Sequence, residues 1–237
     1  MRDKGVFIIG TDTEIGKTTI AAGLGNLLIK NGIRVGVMKP FAADSMQYSK
    51  EFPSRDTKIL KEATNSQEHN NIINPFFYNI PSAPYLVSKI QKNFKQIDLK
   101  KILEIFHALQ KKNEFIIVEG MGGLMVPLTK SLYIADVVKM LNIPVILIMS
   151  NKIGTINHIV MTAFLCRHYK LNVIGIIINN IFNPKERKFT MINAVLPETV
   201  NELTGYPILA VIPYVKSPNN DKIAKFLKNT NMDKVFF

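Results

Sequence analysis

The sequence predicts an α/β protein with a doubly wound, mainly parallel sheet, helices on both faces, and one domain over residues 1–237. Three observations lead there. Apolar runs of strand length alternate with helix-periodic segments along almost the whole chain. The longest run, Ile143-Pro144-Val145-Ile146-Leu147-Ile148-Met149, is apolar throughout, as a strand buried on both faces should be. The first run, Val6-Phe7-Ile8-Ile9, opens into Gly10-Thr11-Asp12-Thr13-Glu14-Ile15-Gly16-Lys17-Thr18-Thr19, and a helical segment follows. Strand, glycine-bearing loop and helix, in that order, make a phosphate cradle.

Each element follows from its local pattern. Val6–Ile9 is the first strand. Lys17 to about Lys30 is the first helix, with Ile20, Leu24, Leu27 and Leu28 on one face and Asn31-Gly32 as its stop. Val35–Lys39 is the second strand, ended by Pro40. Residues 41–80 are the least regular stretch, polar and loop-like, with one helical piece near Thr57–Thr64; loops over a site are expected there. Ala83–Ile90 and Leu99–Lys111 read as helices. Phe115–Val118 is a buried strand, followed by Glu119-Gly120-Met121-Gly122-Gly123. Tyr133–Leu141 is a helix, Ile143–Met149 a strand, Ile156–Tyr169 a helix. Val173–Ile178 is a strand ending in Asn179-Asn180, and Pro184–Leu203 is mostly helical. Ile208–Ile212 and Asp221–Lys228 are the last strand and helix. No repeat, low-complexity tract or dividing linker interrupts this order.

Bulk properties bound the function. Apolar residues make up 47% of the chain, enough for a large core. No apolar run reaches bilayer length, and the short N-terminal run leads into the loop rather than a cleavage site. The single cysteine, Cys166, lies in an apolar helical segment and reads as a buried thiol. A cytoplasmic location is expected, without membrane association. The formal net charge is +12. Its lysines, among them Lys89, Lys92, Lys95, Lys100, Lys101, Lys111, Lys112, Lys185, Lys188, Lys225 and Lys228, are dispersed, with no zinc knuckle or aromatic RNA-binding pattern. The charge is therefore read as solvated surface, not as a nucleic-acid interface.

In doubly wound sheets, ligands bind beyond the carboxyl ends of the strands. The polar residues of this chain collect there. Gly16-Lys17-Thr18 offers free helix-start N–H groups, a lysine for outer phosphates and a hydroxyl for Mg²⁺. The usual pattern has glycine at the position of Thr11; here Gly10 comes one step earlier, and Thr11 to Glu14 make a polar loop able to contact a second substrate. Glu119, at a strand end beside glycines, suits Mg²⁺ directly or through water. Asp56 reads equally as a helix N-cap or a metal ligand. Lys39, at a strand end, requires an anionic partner. Asn179 and Asn180 either read a base edge or end the strand in a turn. Asn157 has the position of an N-cap, and His158 reads as structural because no carboxylate or cysteine partner is evident. His69, His107, His158 and His168 lack metal-ligand spacing.

Together, the Gly10–Thr18 loop, Met38-Lys39-Pro40, Val118-Glu119-Gly120-Met121-Gly122-Gly123, Gly154-Thr155-Ile156-Asn157-His158 and Asn179-Asn180 resemble the dethiobiotin synthetases, from the N-terminus to about Pro213. The resemblance implies an ATP- and Mg²⁺-dependent cyclo-ligase of biotin synthesis, acting on 7,8-diaminopelargonic acid and CO₂ through a carbamate and a carbamic–phosphoric anhydride. It implies that Lys17, Lys39 and Thr13 serve catalysis and that Thr18, Asp56 and Glu119 hold Mg²⁺. It implies that Glu14, Ile15, Gly16, Lys17, Thr18, Thr19, Gly120, Met121 and Gly122 line the nucleotide site, with Asn179, Asn180, Tyr214 and Val215 at adenine. Thr13, Lys39, Ala43, Gly122 and Asn157 would contact the diamine or its carbamate. A homodimer is implied as well. Two departures stand out: Ala43 lies where the family commonly has a nearby serine, and no tyrosine occurs around Phe189–Met191. Partitioning and septum-placing ATPases share the expected fold but carry an extra lysine near the loop's start, where this chain has Asp12. Amide-forming synthetases of cobalamin synthesis carry a catalytic cysteine, and Cys166 is placed in a helix. A DNA-binding ATPase, the class suggested by charge alone, would bind with steep salt dependence.

Overall fold

The computed structural model describes residues 5–182, 187–228 and 230, with the side chains of 187–189 outside that description. The expectations at Pro184 and Lys185 therefore lie outside the described residues, as do the side chains of Lys188 and Phe189. In chain order the elements are β1 (Gly5–Gly10), α1 (Lys17–Lys30), β2 (Val35–Met38), β3 (Phe41–Ala43), α2 (Arg55–Ala63), α3 (Asn70–Ile73), β4 (Phe76–Tyr78), α4 (Pro84–Ile90) and α5 (Leu99–Lys112). Then come β5 (Phe115–Glu119), α6 (Ile134–Leu141), β6 (Val145–Ser150), α7 (Thr155–His168), β7 (Val173–Asn179), α8 (Arg187–Thr204), β8 (Ile208–Ile212) and α9 (Asn220–Lys228).

The main sheet has six strands in the order β2-β5-β1-β6-β7-β8, and every pair is parallel. Strands β1, β2, β5 and β6 are buried on both faces, and successive side chains go to opposite faces. Phe7 and Ile9 join one apolar cluster, while Val6 and Ile8 join the other. The first cluster is closed by α5, α6, α7 and α8, through residues such as Phe106, Val138, Ile159 and Val200. The second is closed by α1, α2 and α9, through Leu24, Leu60 and Ile223. Helices thus cover both faces, as the sequence predicts. The expected helix Lys17–Lys30 has those bounds, with Asn31 at its C-cap and Gly32 at a φ of 81°.

Residues 41–80 are more regular than predicted. Phe41–Ala43 and Phe76–Tyr78 pair in parallel as a second, two-stranded sheet, and the Phe41 and Phe76 rings stack at 5.6 Å. Three-residue strands carry too little pattern for the sequence to reveal, and their partners lie far apart in the chain. Strand β2 stops at Met38, so Lys39 lies beyond the last ladder pair, Met38 with Val118.

The chain runs from β1 to β2 on one side, then crosses β1 to reach β6 on the other. The reversal leaves a crevice at the carboxyl ends of β1, β5 and β6. Register places Glu119 beside Ile8 and Gly10 beside Ile148, which brings the ends of three strands together.

Leu24, fully buried on α1, packs in the second apolar cluster. Leu24→Ala is expected to cost about 3 kcal/mol and to lower the melting temperature by about 6–12 °C for a chain of this length. Calorimetry measures it.

Candidate active site

The loop between β1 and α1 is shaped by a few backbone constraints. A Cβ at Gly10 would lie 2.7 Å from Ile15 Cδ1, 2.8 Å from Lys17 Cδ and 2.9 Å from the Asp12 carbonyl oxygen. The close approach therefore favours glycine at residue 10. Thr11 N–H is already committed, donating to the Ile148 carbonyl at 3.0 Å. Gly16 starts α1 at a left-handed φ of 89°, and a Cβ there would collide with the Asn179 amide. No side chain caps α1, and its first turn carries no acidic residue. Its leading N–H groups and positive dipole end are open to an anion.

Lys17 is buried, and its Nζ donates to the Asp12 carbonyl at 2.6 Å, so the lysine folds back across its own loop. Asn179, at the end of β7, donates from Nδ2 to the Ile15 carbonyl at 2.9 Å. Its amide nitrogen thus braces the loop. Asn180 donates its backbone N–H to the Ile212 carbonyl and keeps a buried side-chain oxygen, Oδ1, without a partner.

Three strand or helix ends converge beside the loop. Lys39 Nζ lies 2.7 Å from Glu119 Oε1 and 2.8 Å from Asp56 Oδ2. Thr18 Oγ1 donates to the same Glu119 Oε1 at 2.7 Å. Lys39 and Glu119 are almost wholly buried, whereas Asp56 is partly exposed. Burial alone would lower the Lys39 pKa, but Glu119 and then Asp56 overcome it and hold the ammonium above the ordinary lysine range. Burial pushes the Glu119 carboxyl up, and Lys39 offsets only part of that. Burial acts upward on Asp56 too, yet the Lys39 charge, with hydrogen bonds from Lys39 and Thr18, keeps it below the usual carboxylate range. Lys17 has no such close carboxylate: burial, reinforced by repulsion from Lys39, brings it down to about 8.

The structure sets aside the cap reading of Asp56. Ser54 caps α2, accepting from Thr57 N–H, and Asp56 turns to Lys39 instead. It also changes two other readings. Gly154, not Asn157, occupies the N-cap position of α7. His158 does have a carboxylate neighbour, Asp12, with Nδ1 to Oδ2 at 3.9 Å. That pair joins the first turn of α7 to the loop, a contact across the sheet that spacing along the chain cannot reveal. Gly122, at a φ of 62°, lies beside Thr13, whose Cγ2 is 3.8 Å from the position of a Cβ. Ala43 ends β3, and Met121 packs against the adjoining core. Asn157 and Tyr214 make no side-chain hydrogen bond to the Lys39 cluster; Tyr214 and Val215 follow β8, and Tyr214 is exposed. Cys166 is buried as expected, and burial pushes its thiol up to about 12.

Two carboxylates and a hydroxyl near an anion-binding helix start form a hard-oxygen donor set. Glu119 Oε2 is buried without a partner, an acceptor still to be satisfied. That composition fits Mg²⁺, which takes one or two carboxylates and completes its shell with water and substrate phosphates.

Comparison with known proteins shows the family and the fold. A family model described as AAA domain matches residues 4–222. The ATP-dependent dethiobiotin synthetase of Nitrosopumilus maritimus (strain SCM1) is 40% identical over 230 residues, covering 97% of each chain. This chain belongs to the ATP-dependent dethiobiotin synthetase family. The Bacillus subtilis (strain 168) member is 35% identical over 227 residues, covering 95% of this chain and 94% of its own. Among solved structures, the MinD cell division protein of Aquifex aeolicus superposes with a TM-score of 0.59 at 14% identity, covering 98% of this chain and 97% of that one. A ParA family ATPase from Chlorobium tepidum TLS gives 0.54 at 14% identity, covering 98% and 95%. At such identities the likeness is one of fold.

A lysine whose folded-state pKa is about 8, against 10.5 unfolded, costs stability while protonated, and the cost is relieved as pH rises between those values. The difference in unfolding free energy between the parent and Lys17→Met should therefore move about 3 kcal/mol in favour of the parent across that window. Urea unfolding at a series of pH values reads it.

Proposed function

We propose that this chain converts 7,8-diaminopelargonic acid, CO₂ and ATP to dethiobiotin, ADP and phosphate in biotin biosynthesis. Family membership supports the overall reaction. The observation that carries the site reading is the buried Lys39 ammonium, hydrogen-bonded to Asp56 and Glu119 beside the phosphate loop. One amine of the substrate takes up CO₂ as a carbamate. A carbamate oxygen attacks the γ-phosphorus, ADP leaves, and a carbamic–phosphoric anhydride forms. The second amine attacks the carbonyl carbon, closes the urea ring and expels phosphate.

Each anion in that sequence needs a cation, and the chain offers two. Lys17 and the N–H groups at the start of α1 hold the outer phosphates, helped by the backbone of Glu14, Ile15 and Gly16 and by Thr19. Lys39 stabilises the carbamate and the transferring phosphoryl group. Thr18, Asp56 and Glu119 would hold Mg²⁺, which would neutralise phosphate charge. Thr13, Gly122, Ala43 and Asn157 border the diamine, and Gly120 and Met121 shape the floor of the nucleotide site. Asn180, with Tyr214 and Val215, is assigned to adenine; its unpartnered Oδ1 is an acceptor suited to an exocyclic amine. Asn179 is assigned to the same ring through its remaining amide oxygen. No residue need act as a strong base, because a neutral amine is itself the nucleophile, and positioning supplies much of the rate.

We also assign a homodimer and a cytoplasmic location. Ile153, Met161 and Phe164 around α7, and Met191, Ile192 and Val195 on α8, are exposed apolar side chains on helices that pack against one another. Exposed apolar side chains on two packed helices suit a surface covered by a second copy of the chain. Among the described residues, no helix is long and apolar enough to cross a membrane.

Purified protein with MgATP and bicarbonate should release phosphate only when the diamine is added, with an equal amount of dethiobiotin by mass spectrometry. Phosphate release indifferent to the diamine would rule the reaction out. Lys39→Ala should lower kcat by about 10²–10³ while leaving nucleotide affinity near the parent's. Phe164→Glu should shift the molar mass in light scattering from dimer to monomer.

A further inference from the structure

Lys39 occupies an unusual place in the backbone. The β2–β5 ladder ends with Met38 opposite Val118, so no main-sheet hydrogen bond fixes the next residue. Pro40 follows and has no N–H to offer. A rotation of one residue at this point would turn the Lys39 side chain away from the cluster, because successive residues of extended chain face opposite ways. What holds Lys39 comes from elsewhere. Its N–H donates to the Ile73 carbonyl at 2.6 Å, and its carbonyl accepts from Asn74 Nδ2 at 2.9 Å. Asn74 Nδ2 also donates to the Phe76 carbonyl at 3.2 Å, and Phe76 N–H donates to the Pro40 carbonyl at 3.1 Å. One amide group therefore joins the Lys39 backbone to the start of β4.

Asn74 is 3% exposed, and its side-chain oxygen has no partner. An apolar residue would fill the same space without an orphaned acceptor. The asparagine is explained by what its nitrogen does, not by packing. We propose that Asn74 is a positioning residue for Lys39, fixing the backbone from which the ammonium reaches Asp56 and Glu119. The catalytic part of this inference rests on the role assigned to Lys39 above; the positioning part rests on the hydrogen bonds alone.

The test compares the parent with Asn74→Ala and with Asn74→Leu, whose branched shape fills the space but donates nothing. Labelling with acetic anhydride, followed residue by residue in the mass spectrometer, reports on Lys39, and the equally buried Lys17 serves as an internal reference. The expected result is a several-fold rise in Lys39 labelling with Lys17 unchanged. Lys39 as protected as in the parent, or both lysines rising together, overturns the inference, the second outcome meaning general loosening. In turnover, kcat should fall about tenfold to a hundredfold with the KM for ATP unchanged. In a Lys39→Ala background, Asn74→Leu should lower kcat no further; a full additional loss would assign Asn74 a role independent of Lys39. A parent without diamine-dependent turnover would sink the reaction assigned to the protein, while the labelling ratio still decides whether Asn74 places Lys39.

Discussion

The charge cluster at the strand ends is the constraint on which the rest of this site depends. A buried ammonium and a buried carboxylate are each expensive to remove from water, and their attraction is recovered only when geometry is good. Here Lys39, Glu119, Asp56 and Thr18 come from the end of β2, the end of β5, the first turn of α2 and the first turn of α1. Each of those elements must be in register for the contacts to form. The cluster is therefore a weak source of stability and a strict condition on architecture. Removing one partner would leave an uncompensated buried charge, at a cost of about 3–5 kcal/mol in general.

The two lysines of the site show how neighbourhood sets chemistry. Both are buried. Lys39 has two carboxylates within hydrogen-bond distance and stays firmly protonated. Lys17 has a carbonyl oxygen as its partner and titrates near 8. A lysine left short of negative charge is ready to receive it, which is the property a phosphate-binding group needs. The loop carrying Lys17 is itself fixed from outside, since Asn179 from β7 holds the Ile15 carbonyl and fits against Gly16. Residues far along the chain thus set the shape of the first loop.

The likeness to MinD and ParA structures covers nearly the whole chain at low identity. It says that the chain shares its overall fold with those proteins. It does not carry chemistry, because chemistry depends on which side chains stand at the strand ends. The match to dethiobiotin synthetases, at 40% and 35% identity, shows the family to which the chain belongs.

Much of this was legible in the chain alone. The alternating apolar runs determined the layered sheet, since a strand buried on both faces can hardly be written otherwise. The Gly10–Thr18 segment determined the uncapped helix start, because loop, lysine, hydroxyl and helix are contiguous and their geometry is local. Glu119 and Lys39 were visible as polar residues ending apolar strands. What the tertiary structure decided were relations between distant segments. It turned Asp56 from a possible cap into a partner of Lys39, gave His158 a carboxylate neighbour, paired the short strands β3 and β4, and placed Asn74 under the Lys39 backbone. Periodicity reports on what lies within a turn or a pleat; contacts closed by the crossing of strands leave no trace in spacing, so only the folded chain could reveal them.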